Sequence, residues 1–257
     1  MSNIANPNPE KVIARTSECL RRLMEAGLTF EDLQLPIDDP KMRARLVRFW
    51  RSDGYESTAD EKVARALGIL VFGVPEAIQH FGIKPTPEQL ATLANIPFSE
   101  GVLQECKGTH ILVATFPLSI LDIREKVKRE LFCSHEDSWY NNEQFAQNKG
   151  EVGWHLVRKN VLPNSTDKTY ADQQTLADTD ETPSARVMVY TIIGHYLATG
   201  EQLFKNVYTR CAELGADGIR VLVGYFFAYG LGVYYYSDDY CGSWIGLAPA
   251  RKRTLNA

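Results

Sequence analysis

The sequence lacks the cysteine patterns that stabilise small secreted domains. Its five cysteines are odd in number and widely spaced, and no two of them form a C-x-x-C pair. They are Cys19, Cys106, Cys133, Cys211 and Cys241. This distribution fits a reducing compartment better than a disulfide framework. We therefore expect five free thiols.

A secretion signal and a membrane span are also missing. The first residues, MSNIANPNPEK, contain no basic stretch followed by an apolar run. The uncharged run between Arg220 and Ser237 holds about sixteen residues and is interrupted by Gly224, Gly230 and Gly232, whereas a span needs about 20. The sequence thus predicts a cytoplasmic protein with no secretion signal and no membrane span.

Neither acidic nor basic residues are in large excess. The formal net charge is −4, and basic residues are interspersed with acidic ones, while a hydrophobic content of 44% is enough to bury a core. One helix has a basic face, formed by Lys41, Arg43, Arg45, Arg48 and Arg51. No glycine-rich element accompanies this face, so it is best interpreted as solvated. We expect a globular protein that does not bind nucleic acid.

Catalytic signatures are missing as well. The sequence contains no H-E-x-x-H, G-x-S-x-G, Walker or G-x-G-x-x-G motif. His155 and His195 could act in acid-base chemistry, and Cys211 or Cys241 could be a nucleophile. No spacing pairs these residues with one another. The prediction is therefore a protein that is not an enzyme, with no cofactor and no metal.

The first half of the chain reads as helices with clear boundaries. Capping boxes pair Thr58 with Glu61 and Thr86 with Gln89, and proline follows Asp39 where another helix should begin. Glycines stand where helices should stop, at Gly27, Gly54, Gly68 and Gly82. The spacing of hydrophobic residues changes at 109–116, THILVATF, which predicts a buried strand. The segment 119–131 returns to helical spacing.

A polar, amide-rich segment at 134–150 is the predicted boundary between two domains. Residues 1–133 form the mostly helical N-terminal domain, whose role is unknown, and residues 151–257 form the second domain. In the latter we expect a strand at 153–158, a helix that opens at Thr182-Pro183, and strands at 202–210 and 219–223. The predicted fold class is α+β.

The most unusual segment is VLVGYFFAYGLGVYYYSDDYCGSW, residues 221–244, which holds nine aromatic residues. Tyr225, Phe227 and Tyr229 alternate with Gly224 and Phe226, as in a strand with one aromatic face. The part YYYSDDY places aromatic and polar residues on both faces, which suits a core poorly because each buried phenol needs a hydrogen-bond partner. Tyr, Ser, Gly and Asp are typical of binding loops. The segment is therefore interpreted as a binding surface.

The same segment has an unusual set of residue types. Residues 221–243 contain no Lys, Glu, Gln, Met or Trp, although these five types make up roughly a fifth of an average protein. Every residue present belongs to the set whose codons can end in a pyrimidine. Such a gap has a chance on the order of one in a hundred at average usage.

These features resemble the variable proteins of diversity-generating retroelements, which carry a C-type-lectin fold of the formylglycine-generating-enzyme type. The resemblance covers about residues 145–257. It depends on Arg220-Val221, Gly224, Gly230-Leu231, the run from Tyr234 to Cys241, and the ending IGLAPAR at 245–251. The block at 150–204 also looks like a domain that commonly precedes such a tail. In that family a reverse transcriptase copies a template with errors at adenines, which scatters Asn-type codons into Tyr, Phe, Asp, Ser, Cys, Gly and Ala.

The resemblance implies a C-type-lectin-like domain at 151–257 with a variable region at about 221–243. The implied ligand-binding residues are Tyr225, Phe227, Tyr229, Tyr234, Tyr236, Ser237, Asp239, Tyr240 and Cys241. The implied fixed frame is Gly224, Gly230, Leu231, Val233, Trp244 and Gly246. The expected partner is an unknown protein or cell-surface ligand, and the oligomeric state stays open.

Two alternatives remain. The chain could be a structural or tail-tip component of a virus particle, in which case it would be virion-associated. It could also be a formylglycine-type oxidoreductase, but the cysteines match no paired active site of that enzyme.

Overall fold

The described part of the chain, which in this computed structural model comprises residues 9–51, 54–55, 57–134, 136–178 and 180–253, begins with four helices and mixes helices with strands from Leu70 onward. The helices are α1 Pro9–Glu25, α2 Phe30–Asp38, α3 Pro40–Arg51, α4 Ala59–Ala66, α5 Val74–Phe81, α6 Pro87–Thr92, α7 Glu100–Cys106, α8 Ile120–Lys126, α9 Gln144–Gln147, α10 Tyr170–Ala177 and α11 Ala185–Thr199. The strands are β1 Leu70–Phe72, β2 His110–Thr115, β3 Gly153–Arg158, β4 Tyr208–Leu214, β5 Arg220–Phe227, β6 Gly230–Tyr236, β7 Ile245–Gly246 and β8 Ala250–Arg251. Two short 3₁₀ turns lie at Arg129–Leu131 and Trp139–Asn142. The predicted α+β class is confirmed.

The chain divides by its internal contacts into two units, Met1–Trp50 and Arg51–Ala257. The first unit contains α1, α2 and most of α3. Among residues 13–47 and 49–50, whose exposure the structure describes, no side chain is buried. An apolar groove of about 480 Å³ lies between the three helices. Within these described residues, the first unit therefore shows no buried hydrophobic core of its own.

The second unit contains two four-stranded sheets. One has the order β1-β2-β3-β8, with β1 parallel to β2 and the other pairs antiparallel. The other has the order β6-β5-β4-β7, with β4 parallel to β7 and the other pairs antiparallel. Helix α11 contacts both sheets. Every residue of α11 from Ala185 to His195 is buried, as expected of a helix that is surrounded on all sides.

The division at Trp50 and Arg51 differs from the boundary that the sequence predicts at 134–150. Strands β2 and β3 lie on either side of that segment and pair along their full length. Within the segment, the ring of Trp139 packs against Tyr235 of β6 at a centroid distance of 4.6 Å, and its Nε1 donates to the carbonyl of Val233. The segment is polar in composition, but its few aromatic side chains join the core of the second unit.

Several predicted elements match the structure closely. The capping boxes of Thr58 and Thr86 are both present, α3 begins at Pro40, and β3 has the predicted bounds. Two predictions were wrong in part. The helix expected at 119–131 ends at Lys126 because Val127 is extended, and the strand expected at 202–210 is β4 at Tyr208–Leu214.

Candidate ligand-binding surface

The nine candidate ligand-binding residues lie on β5, on β6, in the hairpin between them and in the loop that follows β6. None of the nine is buried. Among the aromatic candidates, exposure is highest at the hairpin tip, where Tyr229 is 81% exposed and Phe227 is 54% exposed. The residues interpreted as a fixed frame behave differently. All of them are buried except Trp244, which is half-buried.

The strand register explains this separation. On the core side of the sheet, Thr209, Cys211, Val221, Val223 and Val233 are buried. The opposite face carries three successive rows of paired residues, since side chains alternate along each strand. The rows are Tyr208 with Gly224 and Gly232, Arg210 with Leu222 and Tyr234, and Arg220 with Tyr236. The candidate tyrosines of β6 therefore share their face with two arginines of β4 and β5.

Six aromatic rings on this face form a continuous group, which we call the aromatic platform. It consists of Tyr208, Tyr225, Tyr234, Tyr236, Tyr240 and Trp244. Tyr208 stacks on Tyr225 with centroids 5.3 Å apart and an interplanar angle of 17°. Tyr236 lies 4.4 Å from Tyr240 and 5.0 Å from Trp244. Offset and edge contacts of this kind favour a rigid arrangement of the rings.

Gly232 makes room for the ring of Tyr208, and Gly224 makes room for the main chain beside it. A Cβ atom at Gly232 would lie 2.5 Å from the Tyr208 hydroxyl oxygen, and one at Gly224 would lie 2.3 Å from the carbonyl oxygen of Val207. Gly224 also has a φ of +150°, which side chains rarely adopt. Burial is the main cause that raises the pKa of Tyr208 to about 12, followed by Cys133 and the neighbouring tyrosines. The phenol is therefore neutral at physiological pH.

A bulge in β5 directs Tyr225 onto the platform. The β5–β6 register shifts between Gly224 and Phe227, and Tyr225 has a φ of +53°. The amide of Tyr225 donates to the carbonyl of Val207 instead of to β6. Bulges of this kind re-aim side chains at functional edges of sheets. Here the bulge leaves Phe226 buried and turns Tyr225 outward.

The buried side chain of Arg210 holds the loop after β6 from the interior of the protein. Its Nη2 donates to the carbonyl oxygens of Tyr240 at 2.5 Å and Ser237 at 3.4 Å. Its Nη1 donates to Oε1 of Gln173 at 2.8 Å and to the carbonyl of Lys168. Burial is the first cause that lowers the pKa of Arg210, and Asp238 opposes it. The two contacts of Nη2 reach main-chain atoms of the loop, so they do not depend on its side chains.

A second arginine fixes the start of the same loop. Nε and Nη2 of Arg220 donate to the two carboxylate oxygens of Asp238, at 2.5 Å and 3.0 Å. The guanidinium lies over the ring of Tyr170, with Cζ 3.8 Å from the ring centroid. The bidentate geometry and the cation–π contact both favour this single arrangement. Asp238 is therefore part of the frame, whereas Asp239 beside it is exposed.

The isolated histidines and cysteines are dispersed over the fold. His155 lies on β3 in the other sheet, where burial is the main cause that lowers its pKa to about 3. His195 lies in α11 and contacts Glu201 at 3.0 Å. Cys211 is fully buried, and burial raises the pKa of its thiol well above the usual value. Cys241 is exposed, with Sγ 3.5 Å from the carbonyl of Asp239. Within the described residues, no three His, Cys, Asp or Glu side chains are grouped so that they could hold a metal ion.

The basic face belongs to α3. Lys41, Arg43 and Arg45 are exposed, and Nη1 of Arg43 donates to the carbonyls of Pro36 and Ile37. The side chains of Arg48 and Arg51 lie outside the described residues.

Sequence reasoning missed four residues of this surface: Tyr208, Arg210, Gly232 and Gly242. A Cβ atom at Gly242 would lie 2.7 Å from the ring of Tyr240. The signal available for the first two was the period of the segment YTRC, which places Tyr208 and Arg210 on one face of a strand. This period can be recognised only when the strand is known to begin at residue 208.

No family model, curated protein or solved structure matches this chain. In the part of the chain that the structure describes, no helix is both long enough and apolar enough to cross a membrane.

Proposed function

We propose that this chain is a ligand-binding protein that displays a hypervariable surface, as the variable proteins of diversity-generating retroelements do. In this proposal residues 151–257 correspond to the C-type-lectin-like part, and the partner is a protein or another cell-surface ligand. The proposal depends on one observation, which is that residues 221–243 divide into accessible candidate residues and buried frame residues. All nine candidate contact residues are accessible, while the glycine, valine and leucine residues of the same segment are buried.

A surface that must tolerate many sequences needs a frame that does not depend on its variable side chains. Arg210 holds the loop at 237–241 through main-chain carbonyls, and the amide of Tyr170 donates to the carbonyl of Asp238 at 2.8 Å. Substitutions at Ser237, Asp239 and Tyr240 leave these bonds intact. Rigid elements that present exchangeable side chains are the usual basis of adaptable binding sites.

The composition of the surface agrees with this use. Tyrosine offers a large, stiff contact area at low entropic cost, and Ser, Asp and Gly supply hydrogen bonds and turns. Asn-type codons altered at their adenines give this same set of residue types. Residue types that adenine-directed mutagenesis can produce therefore coincide with accessible positions, and this agreement supports the proposal.

A display library tests the proposal. The nine candidate positions are randomised with pyrimidine-ending codons, the rest of the chain is kept, and clones are selected against purified lysozyme. We expect folded clones with micromolar or tighter dissociation constants, a range typical of unmatured binding surfaces. A matched library randomised at nine exposed positions in α4, α6, α7 and α10 should give no such clones. Equal yields from the two libraries, or none from either, would contradict the proposed function.

A further inference from the structure

Two rings of the aromatic platform lie outside the segment that lacks Lys, Glu, Gln, Met and Trp. Tyr208 precedes that segment by thirteen residues, and Trp244 follows it directly. Between them these two rings contact each of the other four. Tyr208 contacts Tyr225 and Tyr234 at 5.3 and 6.3 Å. Trp244 contacts Tyr236 and Tyr240 at 5.0 and 5.7 Å.

The two rings are also fixed to each other. Their centroids are 5.8 Å apart, and the amide of Tyr208 donates to the carbonyl of Trp244 at 2.8 Å. The adjacent residue, Ile245, pairs with Tyr208 in the parallel β4–β7 ladder. Neither ring is buried. The pair therefore keeps its place when the surrounding side chains change, and it stays accessible.

We propose that Tyr208 and Trp244 form a constant contact site at the centre of the variable surface. This inference rests on the proposed function. The two rings touch the bound partner in every variant and supply a share of the affinity that does not depend on the variable residues, which decide the choice of partner. Tyrosine and tryptophan in the middle of an interface commonly carry most of its binding energy, while the residues around them exclude water.

The chemistry of the site indicates a basic protein surface as the partner. Aromatic faces attract aliphatic side chains and the cationic groups of Lys and Arg. Asp239 is exposed next to the platform, whereas the guanidinium groups of Arg210 and Arg220 are occupied by the loop. Lysozyme, a basic protein, is therefore a suitable probe.

The test compares four libraries that share the nine randomised positions. One keeps Tyr208, one carries Tyr208→Ser, one carries Tyr208→Phe, and one carries Leu214→Ser as the matched control. Leu214 lies at the other end of β4 and is 48% exposed. Clones are selected against lysozyme, and those with a cooperative thermal transition are ranked by dissociation constant.

We expect the best Tyr208→Ser clones to bind at least tenfold more weakly than the best clones of the other three libraries. Tyr208→Ser clones that bind as tightly as the others would overturn the constant contact site and leave the proposed function standing. Failure of all four libraries would instead contradict the proposed function, and this inference with it.

A second measurement does not depend on whether Tyr208→Ser folds. A lysozyme-binding clone that keeps Tyr208 is labelled with 5-fluorotryptophan, and Trp244→Phe assigns its fluorine resonance. On addition of unlabelled lysozyme, the Trp244 resonance should shift and that of the buried Trp154 should not. An unshifted Trp244 resonance at saturating lysozyme would overturn the inference.

Discussion

Nη2 of Arg210 lies 2.5 Å from the carbonyl oxygen of Tyr240, so a fully buried guanidinium holds the backbone of a residue whose own side chain is a candidate for variation. The bond ends on a main-chain atom, and it is therefore the same for any side chain at position 240. In this way the interior of the protein fixes the path of the loop and leaves its sequence open.

Replacement of Arg210 by methionine should be strongly destabilising. The change keeps much of the side-chain volume but leaves the carbonyls of Lys168 and Tyr240 and the amide oxygen of Gln173 without their donor. We expect a loss of about 3 kcal/mol in the free energy of unfolding, measured by urea denaturation. The control is Arg129→Met, because the Arg129 side chain is 69% exposed and its loss should cost no more than about 0.5 kcal/mol. Equal effects of the two changes would contradict this role of Arg210.

Gly224 should tolerate no side chain. A Cβ atom there meets the main chain of Val207, which cannot move without disturbing β4. We expect Gly224→Ala to cost about 3 kcal/mol, from backbone strain and overpacking together. Gly218→Ala separates the two causes, because Gly218 also has a positive φ of +79° but open space around it. That change should cost only about 1 kcal/mol in thermal or urea denaturation. A smaller effect at Gly224 than at Gly218 would show that the close approach is not limiting.

The local elements of this fold could largely be predicted from the sequence. The strand at β2 is a run of six buried residues between a glycine turn and a proline, and the capped helices carry their own start signals. Such features depend on neighbouring residues, which a single sequence displays. The local alternation of Tyr225, Phe226 and Phe227 likewise predicted their opposite environments, although only the bulge in β5 turns Tyr225 away from the side of Val221 and Val223.

The frame of the surface could not be predicted because it depends on contacts between distant residues. Leu203 and Phe204 are buried and suggest a strand, yet Phe204 has a φ of +51° and lies in the loop before β4. The start of β4 was therefore misplaced, and Tyr208 and Arg210 were missed. The requirement for glycine at 232 follows from the ring of Tyr208, 24 positions earlier in the chain.

The five thiols should differ in reactivity. Cys19, Cys133 and Cys241 are exposed, whereas Cys106 and Cys211 are buried. Burial raises the pKa of both buried thiols, which lowers the fraction of reactive thiolate. A thiol reagent added without reductant should therefore label three cysteines in the folded protein and all five after unfolding, as read by mass mapping. Two mapped disulfides, or rapid labelling of Cys211 in the folded state, would contradict the prediction.

The neighbouring DNA should record the diversification. We expect a near-copy of the sequence that encodes about residues 221–243, close to a reverse-transcriptase gene, with adenines wherever the two copies differ. The structure also predicts which codons should differ between the two copies. Differences that change an amino acid should fall at codons of accessible residues and spare those of Gly224, Gly230, Gly232 and Leu231, which are buried. Sequencing of the locus tests this prediction, and a neighbourhood without either element would contradict the proposed relation to the variable proteins of diversity-generating retroelements.

Phe226 and Phe227 are adjacent in sequence and opposite in environment, which allows a matched comparison. Phe226 is 1% exposed and packs on Tyr196, whereas Phe227 is 54% exposed. We expect Phe226→Ser to cost about 3–5 kcal/mol, as for emptying a large buried site, and Phe227→Ser to cost no more than about 0.5 kcal/mol. Urea denaturation of the two variants measures both values.

The combined change of the six candidate aromatic residues to serine is the strictest form of this test. The residues are Tyr225, Phe227, Tyr229, Tyr234, Tyr236 and Tyr240. Four of them are exposed and should cost about 0.5 kcal/mol each, while Tyr236 and Tyr240 are half-buried and pack on each other, so about 1 kcal/mol each is expected. Losses that roughly add give about 4 kcal/mol, below the stability of most domains of this size. The variant should therefore keep a cooperative thermal transition above room temperature. If it is unfolded at room temperature, the aromatic segment belongs to the core, and its interpretation as a binding surface is wrong whatever the neighbouring DNA contains.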